Sequence, residues 1–273
     1  MEKTDTHTHT YLSNHGEGTV EEVVQTALSQ GMTTIALTEH LPLPDEANPY
    51  GVFAMHESDV GLYLDSIGEA RKAHPDIEII CGTEIDWRHG AEDYIMERIA
   101  PFELKLGSVH MAQDEGDGHY WAFDTESFDD EWDARGEKAV WQKYFDLWLE
   151  AVNSSIPFDI MTHPDLPKKL CHKPTFDVSE QYAAMASAAA QRGVMIELNT
   201  AGLRKPVHEF YPGPELLRAF CNEGVPCTVS SDAHTPSDVG RDFDAAYIAL
   251  QEAGYKCVTV PTRNGDRREI PFD

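Results

Sequence analysis

Short apolar, strand-like runs alternate with helical patterns along almost the whole sequence, and this alternation constrains the fold more than any other feature. The runs at 3–7, 34–38, 78–84, 104–109, 158–162, 194–199 and 227–231 predict seven strands. Strands joined by helical crossovers pair in parallel. Since no run is typical of an edge strand, we predict an α/β fold in which the sheet closes into a TIM-like barrel. The length suits a single domain over residues 1–273.

The predicted helices carry start and stop signals of their own. They cover about 20–30, 58–74, 136–153, 179–192, 214–223 and 237–253. Thr19 and Glu22 have the spacing of a capping box, and Gly31 suits the position after the helix end. Ser58 is predicted to cap the second helix, and Pro214 suits a first turn.

A long polar segment, QDEGDGHYWAFDTESFDDEWDARGE (113–137), follows the fourth predicted strand. Its many charged and turn-forming residues predict a loop outside the core, lying over the face of the barrel where the strands end.

Each predicted strand ends in polar side chains that can bind a metal or a ligand. The ends read DTHTH, LTEH, CGTEID, GSVH, MTHPD, ELNT and SSDAH. The carboxyl ends of barrel strands meet on one face, and residues two apart on a strand point to the same side. We therefore predict a metal centre formed by His7, His9, His15, His40, Glu84, His110, His163, Asp232 and His234. The other six histidines, at positions 56, 74, 89, 119, 172 and 208, are predicted to have structural roles.

The number and type of these side chains indicate the metal. Nine candidate ligands exceed the four to six that one ion takes, so the sequence predicts two or three divalent ions. Imidazole and carboxylate ligands without thiolate favour zinc, iron, manganese or cobalt over calcium or magnesium alone. The five cysteines are scattered and form no C-x-x-C pair, which predicts neither a zinc knuckle nor a disulfide framework.

Composition limits the partners. The chain carries 48 acidic and 21 basic residues, a net charge of −27, and no basic cluster interleaved with aromatic residues. Such a charge repels polyanions, so we expect no nucleic-acid partner. No apolar run is long enough to cross a bilayer, and the polar N-terminus does not read as a signal peptide, so we expect no membrane partner and a cytoplasmic location.

The motifs DTHTH, TEH, GTEID, GSVH, THPD and SSDAH resemble those of the PHP (polymerase and histidinol phosphatase) superfamily over nearly the whole chain. The resemblance implies a distorted (β/α)7 barrel and a combination of iron, zinc and manganese ions. It also implies three ligand sets: His7, His9, Glu84 and Asp232; then Glu84, His110 and His163, with Glu84 bridging; then His15, His40 and His234.

Three further segments, TEHLPLP, HPDLPKK and ELNTAGLRKPVHEFYPGPELL, look like those of PHP-type histidinol-phosphate phosphatases. This likeness implies hydrolysis of L-histidinol phosphate, a step of histidine biosynthesis, by a hydroxide that bridges the metal ions. Arg204 is the first candidate for binding the phosphate, because its fork of donors matches phosphate oxygens. Lys168 or Lys169 is the second candidate.

The sequence also leaves other functions to consider. The substrate of the same site can be another small phosphate monoester or a nucleotide. An amidohydrolase also begins with H-x-H on a barrel strand, but that family usually carries a strand-end lysine or a metal-binding glutamate after mid-barrel. Here the fourth strand ends at His110 with Lys105 inside it, and the glutamate comes at strand three. A binding module without catalysis is expected to have lost ligands, and all nine are present.

Overall fold

A computed structural model describes residues 2–48, 51–114, 116 and 118–272. Its strands are β1 (Lys3–Asp5), β2 (Met32–Leu37), β3 (Glu78–Asp86), β4 (Leu104–Ser108), β5 (Met111–Gln113), β6 (Tyr120–Ala122), β7 (Ile160–Met161), β8 (Met195–Asn199), β9 (Cys227–Ser230), β10 (Cys257–Pro261) and β11 (Arg267–Pro271). Its α-helices are α1 (Val20–Ser29), α2 (Val60–Ala73), α3 (Glu92–Met96), α4 (Asp129–Arg135), α5 (Glu137–Asn153), α6 (Ser179–Arg192), α7 (Pro214–Asn222) and α8 (Phe243–Ala253).

Seven of these strands form the parallel sheet that the sequence predicts. They pair side by side in the order β1-β2-β3-β4-β7-β8-β9. The two outer strands meet just beyond their ends, where Thr8 forms a parallel bridge with Ala233 and the His9 amide donates to the Ala233 carbonyl at 2.8 Å. The Ser231 amide also donates to Asp5 Oδ1 at 3.0 Å. These contacts bring the sheet to a nearly closed barrel, and the predicted fold class is confirmed.

A small apolar plug fills the barrel interior below the strand ends. It consists of Ala36, Ile80, Leu104, Leu106, Ile160 and Met195, all of them buried. Side chains two apart along a strand share a face, so Ile80 points the same way as Glu84, and Met195 the same way as Glu197. These apolar side chains therefore fill the barrel directly beneath the polar side chains at its mouth.

Local signals at the helix ends are mostly as predicted. Thr19 and Glu22 form both bonds of the capping box, and Pro214 lies in the first turn of α7. The prediction for Ser58 is wrong, because a 3-10 turn over Glu57–Asp59 precedes α2 and its residues make no side-chain cap. Within the described residues, no helix combines the length and the apolar character needed to cross a bilayer.

Segment 113–137 lies over the face where the strands end, as predicted, since Trp121 and Asp124 line a cavity there, but the prediction that it is a loop outside the core is wrong. Its described residues contain α4 and β6, which pairs antiparallel with β5, and they bury Trp121, Phe123 and Trp132. The rings pack on the long helix α5, with centroids 5.3 Å apart for Phe123 and Tyr144. This aromatic packing outweighs the polar composition of the segment. Glu115 and Asp117 of this segment lie outside the described residues.

A C-terminal hairpin that was not predicted covers the opposite end of the barrel. β10 and β11 pair antiparallel, and their arginines reach the start of the parallel sheet. Arg268 donates to Glu2 at 2.6 Å and to Thr34 at 3.0 Å, while the Arg263 amide donates to Glu78 at 3.1 Å. The hairpin thus ties the chain terminus to the face away from the predicted ligands.

Candidate metal centre

The nine predicted ligands lie together in the mouth of the barrel, with Glu84 at the centre. Glu84 is 1% exposed, and its two carboxylate oxygens lie 3.0–3.5 Å from ring nitrogens of five histidines: His7, His9, His40, His110 and His163. Asp232 is the second carboxylate of the cluster. Its Oδ1 lies 3.7 Å from Nε2 of His7, 3.5 Å from Nε2 of His9 and 3.4 Å from Nδ1 of His234. Two carboxylates therefore connect six histidines from five separate strand ends.

His15 reaches the cluster from the loop after β1. Asn14 before it has a left-handed backbone, with φ of 67°, which turns the chain back towards the barrel. The Nε2 atom of His15 then lies 3.0 Å from Nε2 of His234, and Nδ1 lies 2.9 Å from the carbonyl of Val52. His7 and His9 thus reach the cluster from before this turn, and His15 reaches it from after the turn.

Two ligand positions hold strained backbone conformations. His163 has a φ of 24° and Asp232 a φ of 49°, both in the region that side-chain-bearing residues rarely adopt. Such conformations persist only where the surrounding structure enforces them, and they concentrate at functional sites. Here they direct two side chains, one after β7 and one after β9, towards the same centre.

The charges of the cluster favour a cation at its centre. Burial raises the pKa of Glu84, but the neighbouring histidines, His40 foremost, outweigh it and hold that pKa well below its usual range. Burial also lowers the pKa of His40 and of His234 well below the usual range. Conversely, Glu197, Asp232 and Glu84 outweigh burial at His7 and hold its pKa well above the usual range. A bound cation would take the place of that proton.

The distances between donor atoms fit transition-metal ions. Nε2 of His7 lies 3.0 Å from Nε2 of His9, and the same distance separates Nε2 of His15 from Nε2 of His234. Two imidazole ligands of one tetrahedral zinc ion lie about 3.3 Å apart, given zinc–nitrogen bonds of about 2.0–2.1 Å. Three groups have donor atoms that all lie within 4.8 Å of one another: His7, His9 and Asp232; His9, His40 and His234; His40, Glu84 and His110. His40 therefore stands between two of the predicted ligand sets.

The sequence did not identify three buried carboxylates that lie behind the ligands. Glu197 Oε2 lies 3.0 Å from Nδ1 of His7, Asp86 Oδ1 lies 3.6 Å from Nδ1 of His110, and Glu39 Oε2 lies 3.8 Å from Nδ1 of His9. Each acid stands one or two residues from a more obvious polar residue, in TEH, TEID and ELN. The sequence signal that could have indicated them is an acidic residue within or just after a buried strand.

A cavity of about 940 Å³ opens from the cluster to the surface. Apolar side chains form much of its wall, including Phe53, Trp121 and Tyr211, so it can enclose a small organic molecule away from water. None of the six histidines predicted to be structural lines this cavity, and His74, His89 and His172 instead pair with carboxylates elsewhere on the described chain.

Two of the three predicted phosphate-binding residues line this cavity, and both already have partners. Nη2 of Arg204 donates to the Ser231 carbonyl at 2.6 Å, and its Nε lies 3.3 Å from Asp238. Lys169 Nζ lies 2.6 Å from Asp124 Oδ2.

Lys168, the third, is placed elsewhere. It is 3% exposed and is enclosed by Asp165 and Glu209, and it is not part of the cavity wall.

Lys205, which the sequence did not single out, also lines the cavity. No carboxylate pairs with it among the described residues, whereas Lys169, Arg204 and Arg241 on the same wall each have one. Burial and the charge of Lys169 lower its pKa. A lone lysine in a loop carries no sequence signal, so only its position relative to the cavity reveals it.

Comparison with known proteins agrees with this geometry. Residues 5–201 match the PHP domain family. A Deinococcus radiodurans protein named probable histidinol-phosphatase is 32% identical over 263 residues, covering 95% of this chain and 96% of that protein. Histidinol-phosphatase of Bacillus subtilis is 27% identical, covering 90% and 98%.

A solved structure has the same fold. Histidinol phosphate phosphatase from Lactococcus lactis, complexed with zinc, L-histidinol and phosphate, superposes with a TM-score of 0.75 at 20% identity, over 96% of this chain and 98% of that one. The family match and the Deinococcus relative agree with the sequence motifs, the fold and the site: the chain belongs to the PHP domain family.

Proposed function

We propose that this protein is a metal-dependent phosphatase that hydrolyses L-histidinol phosphate to L-histidinol and inorganic phosphate. The observation that carries the proposal is the position of Glu84, a buried carboxylate in contact with five histidine rings at the floor of a cavity that fits a small molecule. The full-length similarity to proteins named histidinol-phosphatase supports the choice of substrate.

Two or three divalent ions would be held by the nine clustered side chains. We propose His7, His9, Glu84 and Asp232 for one ion, Glu84, His110 and His163 for a second, and His15, His40 and His234 for a third, with zinc, iron or manganese as the metal. Such ions supply Lewis-acid stabilisation of phosphate oxygens and lower the pKa of water to near neutrality, giving a hydroxide nucleophile. They also make the pocket of an acidic protein attractive to a dianion.

The chain itself binds and orients the phosphate. Arg204 and Lys169 supply positive charge on the cavity wall, and Lys205 adds a cation that no carboxylate of the described chain neutralises. Thr200, Ser231 and Asp238 hold Arg204 in place and engage all three guanidinium nitrogens, so we propose that it acts on the phosphate through its fixed positive charge. Positive groups fixed in advance stabilise the charge that develops in phosphoryl transfer without a cost for reorganisation.

The apolar wall excludes water around the rest of the substrate. Phe53, Trp121 and Tyr211 come from three separate segments, so the pocket closes around a ligand from several directions. The partner that we propose is a small phosphorylated metabolite. We also propose a reducing, cytoplasmic location, supported by five cysteines that all carry free thiols.

Phosphate release from metal-loaded protein tests this function. We expect turnover of histidinol phosphate to exceed that of a generic aryl phosphate by at least tenfold in kcat/KM. Comparable, slow turnover of both would contradict the substrate and favour another small phosphate monoester or a nucleotide.

A pair of histidine variants tests the site. His110→Ala should lose turnover by at least a hundredfold, because His110 Nε2 lies 3.5 Å from Glu84 at the centre of the cluster. The matched control is His208→Ala, an exposed histidine outside the cavity, which should keep the activity of the parent protein. Equal activity of the two variants would contradict the location of the site.

A further inference from the structure

The rings of His7 and His9 each have a buried carboxylate on the side away from the cluster. Nε2 of His7 faces Glu84 Oε2 at 3.1 Å, while its Nδ1 faces Glu197 Oε2 at 3.0 Å. Nε2 of His9 likewise faces Glu84 Oε2 at 3.3 Å, while its Nδ1 faces Glu39 Oε2 at 3.8 Å. Both acids are 0% exposed, so neither contacts solvent or contributes to solubility.

Glu197 is fully engaged by hydrogen bonds. Its Oε1 accepts from the His163 amide at 3.0 Å and from Asn199 Nδ2 at 2.8 Å, and its Oε2 accepts from Ser230 Oγ at 2.6 Å. These donors hold the carboxylate in one orientation. The remaining lone pair of Oε2 is directed at His7, the one metal-ligand candidate whose ring it contacts.

Glu39 is engaged on one oxygen only. Its Oε1 accepts from the amide and the hydroxyl of Thr10, at 2.6 and 2.5 Å. Its Oε2 and His9 Nδ1 both lack a hydrogen-bond partner among the described residues, and they are buried 3.8 Å apart. An unpaired buried polar atom costs about 1–3 kcal/mol, so a shift of about 1 Å that joins these two atoms is favourable.

We propose that Glu39 and Glu197 are positioning residues, which accept a hydrogen bond from the Nδ1–H group of His9 and of His7 and thereby direct the Nε2 lone pairs of both rings into the cation site. This inference rests on the proposed metal-dependent function. A neutral imidazole has one protonated and one free nitrogen, and a carboxylate at Nδ1 decides which is which. The two Nε2 atoms lie only 3.0 Å apart, so the space between them has no room for an N–H group on each ring.

Glutamine at either position should reverse this arrangement. The donors around Oε1, Thr10 at position 39 and His163 with Asn199 at position 197, require an acceptor there, so the amide oxygen takes that place. The amide NH₂ group then faces the ring at Nδ1. Nδ1 has to accept a hydrogen bond, the proton moves to Nε2, and the lone pair that should bind the cation is lost.

The test measures zinc binding without substrate. The zinc dissociation constant of Glu39→Gln and Glu197→Gln, determined by competition with a chelator, should rise 10–100-fold, the usual effect of removing the partner of a ligating histidine. Glu103→Gln is the matched control, because Glu103 is a part-buried acid that bonds to Arg71 and the Cys81 amide, away from the cluster. It should leave the zinc dissociation constant within threefold of the parent protein.

A spectroscopic measurement on the unaltered protein tests the inference even if the variants do not fold. In zinc-loaded protein labelled with ¹⁵N-histidine, NMR should show His7 and His9 protonated at Nδ1 and bound through Nε2. The opposite tautomer, or glutamine variants that bind zinc as the parent does, would overturn the inference. Zinc binding with this dependence but no hydrolysis of histidinol phosphate would refute the proposed function alone, and a protein that binds none of zinc, iron and manganese would overturn both.

Discussion

Replacing Lys168 by methionine should destabilise the fold rather than disable phosphate binding. Its Nζ lies 2.8 Å from Asp165 Oδ2 and 3.3 Å from Glu209 Oε2, and Asp165 is only 2% exposed. Loss of the ammonium group leaves the Asp165 carboxylate buried without its counter-charge, which typically costs about 3–5 kcal/mol. Because the Gly213 amide still donates to Asp165 at 2.7 Å, we expect the lower end of that range.

That free energy converts to a measurable change in melting temperature. At about 2–4 °C per kcal/mol for chains of roughly this size, about 3 kcal/mol lowers Tm by about 6–12 °C. Urea-induced unfolding followed by circular dichroism measures the free energy directly. The turnover of the molecules that remain folded should change by less than threefold.

Lys169→Met is the matched comparison, since this neighbour lies in the cavity wall. Its side chain is 25% exposed, so cavity water can solvate Asp124 after the change, and we expect a loss of only about 1–2 kcal/mol. Its kcat/KM for phosphate release should fall at least tenfold.

The double variant Asp165→Asn with Lys168→Met should recover part of the stability, because no buried charge is left unpaired. A Lys168→Met protein with the parent's stability and a reduced kcat/KM would refute this reasoning and place Lys168 in the substrate site.

Three further predictions concern glycines, metal and pH. A Cβ at Gly202 would lie 2.0 Å from the Glu209 carbonyl, so Gly202→Ala should cost about 1–3 kcal/mol in urea unfolding, whereas Gly68→Ala, in open space within α2, should gain about 0.5–1 kcal/mol. Treatment with a chelator should abolish phosphate release and lower Tm, and zinc should restore both; full activity of metal-free protein would contradict the site. Burial raises the pKa of Glu103, but hydrogen bonds from a backbone amide and from Arg71 outweigh it and lower that pKa. Its stabilisation is therefore present above the unfolded pKa of about 4.3 and is lost as the pH falls through the folded value. The stability gap between parent and Glu103→Gln should narrow below about pH 4, and a gap that is constant with pH would show that the charge of Glu103 does not matter.

The fold and the ligand cluster could be predicted because both depend on local pattern. Period-two spacing in a strand fixes which side chains share a face, so His7 and His9, or Glu84 above Ile80, could be assigned to the barrel interior without knowing their neighbours. The strand ends converge by the geometry of a parallel barrel, which brings histidines from distant positions together once the strands are recognised.

The remaining features depend on partners that are far away in the sequence. Trp121 and Phe123 occur in a polar segment, and their burial follows from the aromatic face of α5, which no local pattern reveals. Lys205 differs from other loop lysines because it lines the cavity and no carboxylate of the described residues forms an ion pair with it. Glu39 reads as an ordinary acid next to His40 until the strand geometry shows it behind His9.

The closure of the barrel by its first and last strands has a consequence for biosynthesis. Asp5 and Ser231, which join the two edges, are 226 positions apart in the chain. At about 5–20 residues per second, roughly 11–45 s separate their synthesis on the ribosome. During that interval His7 and His9 are exposed without Asp232 and His234, so a nascent chain offers an incomplete set of ligands. Loading of the full complement of metal is thereby restricted to chains whose translation is nearly finished.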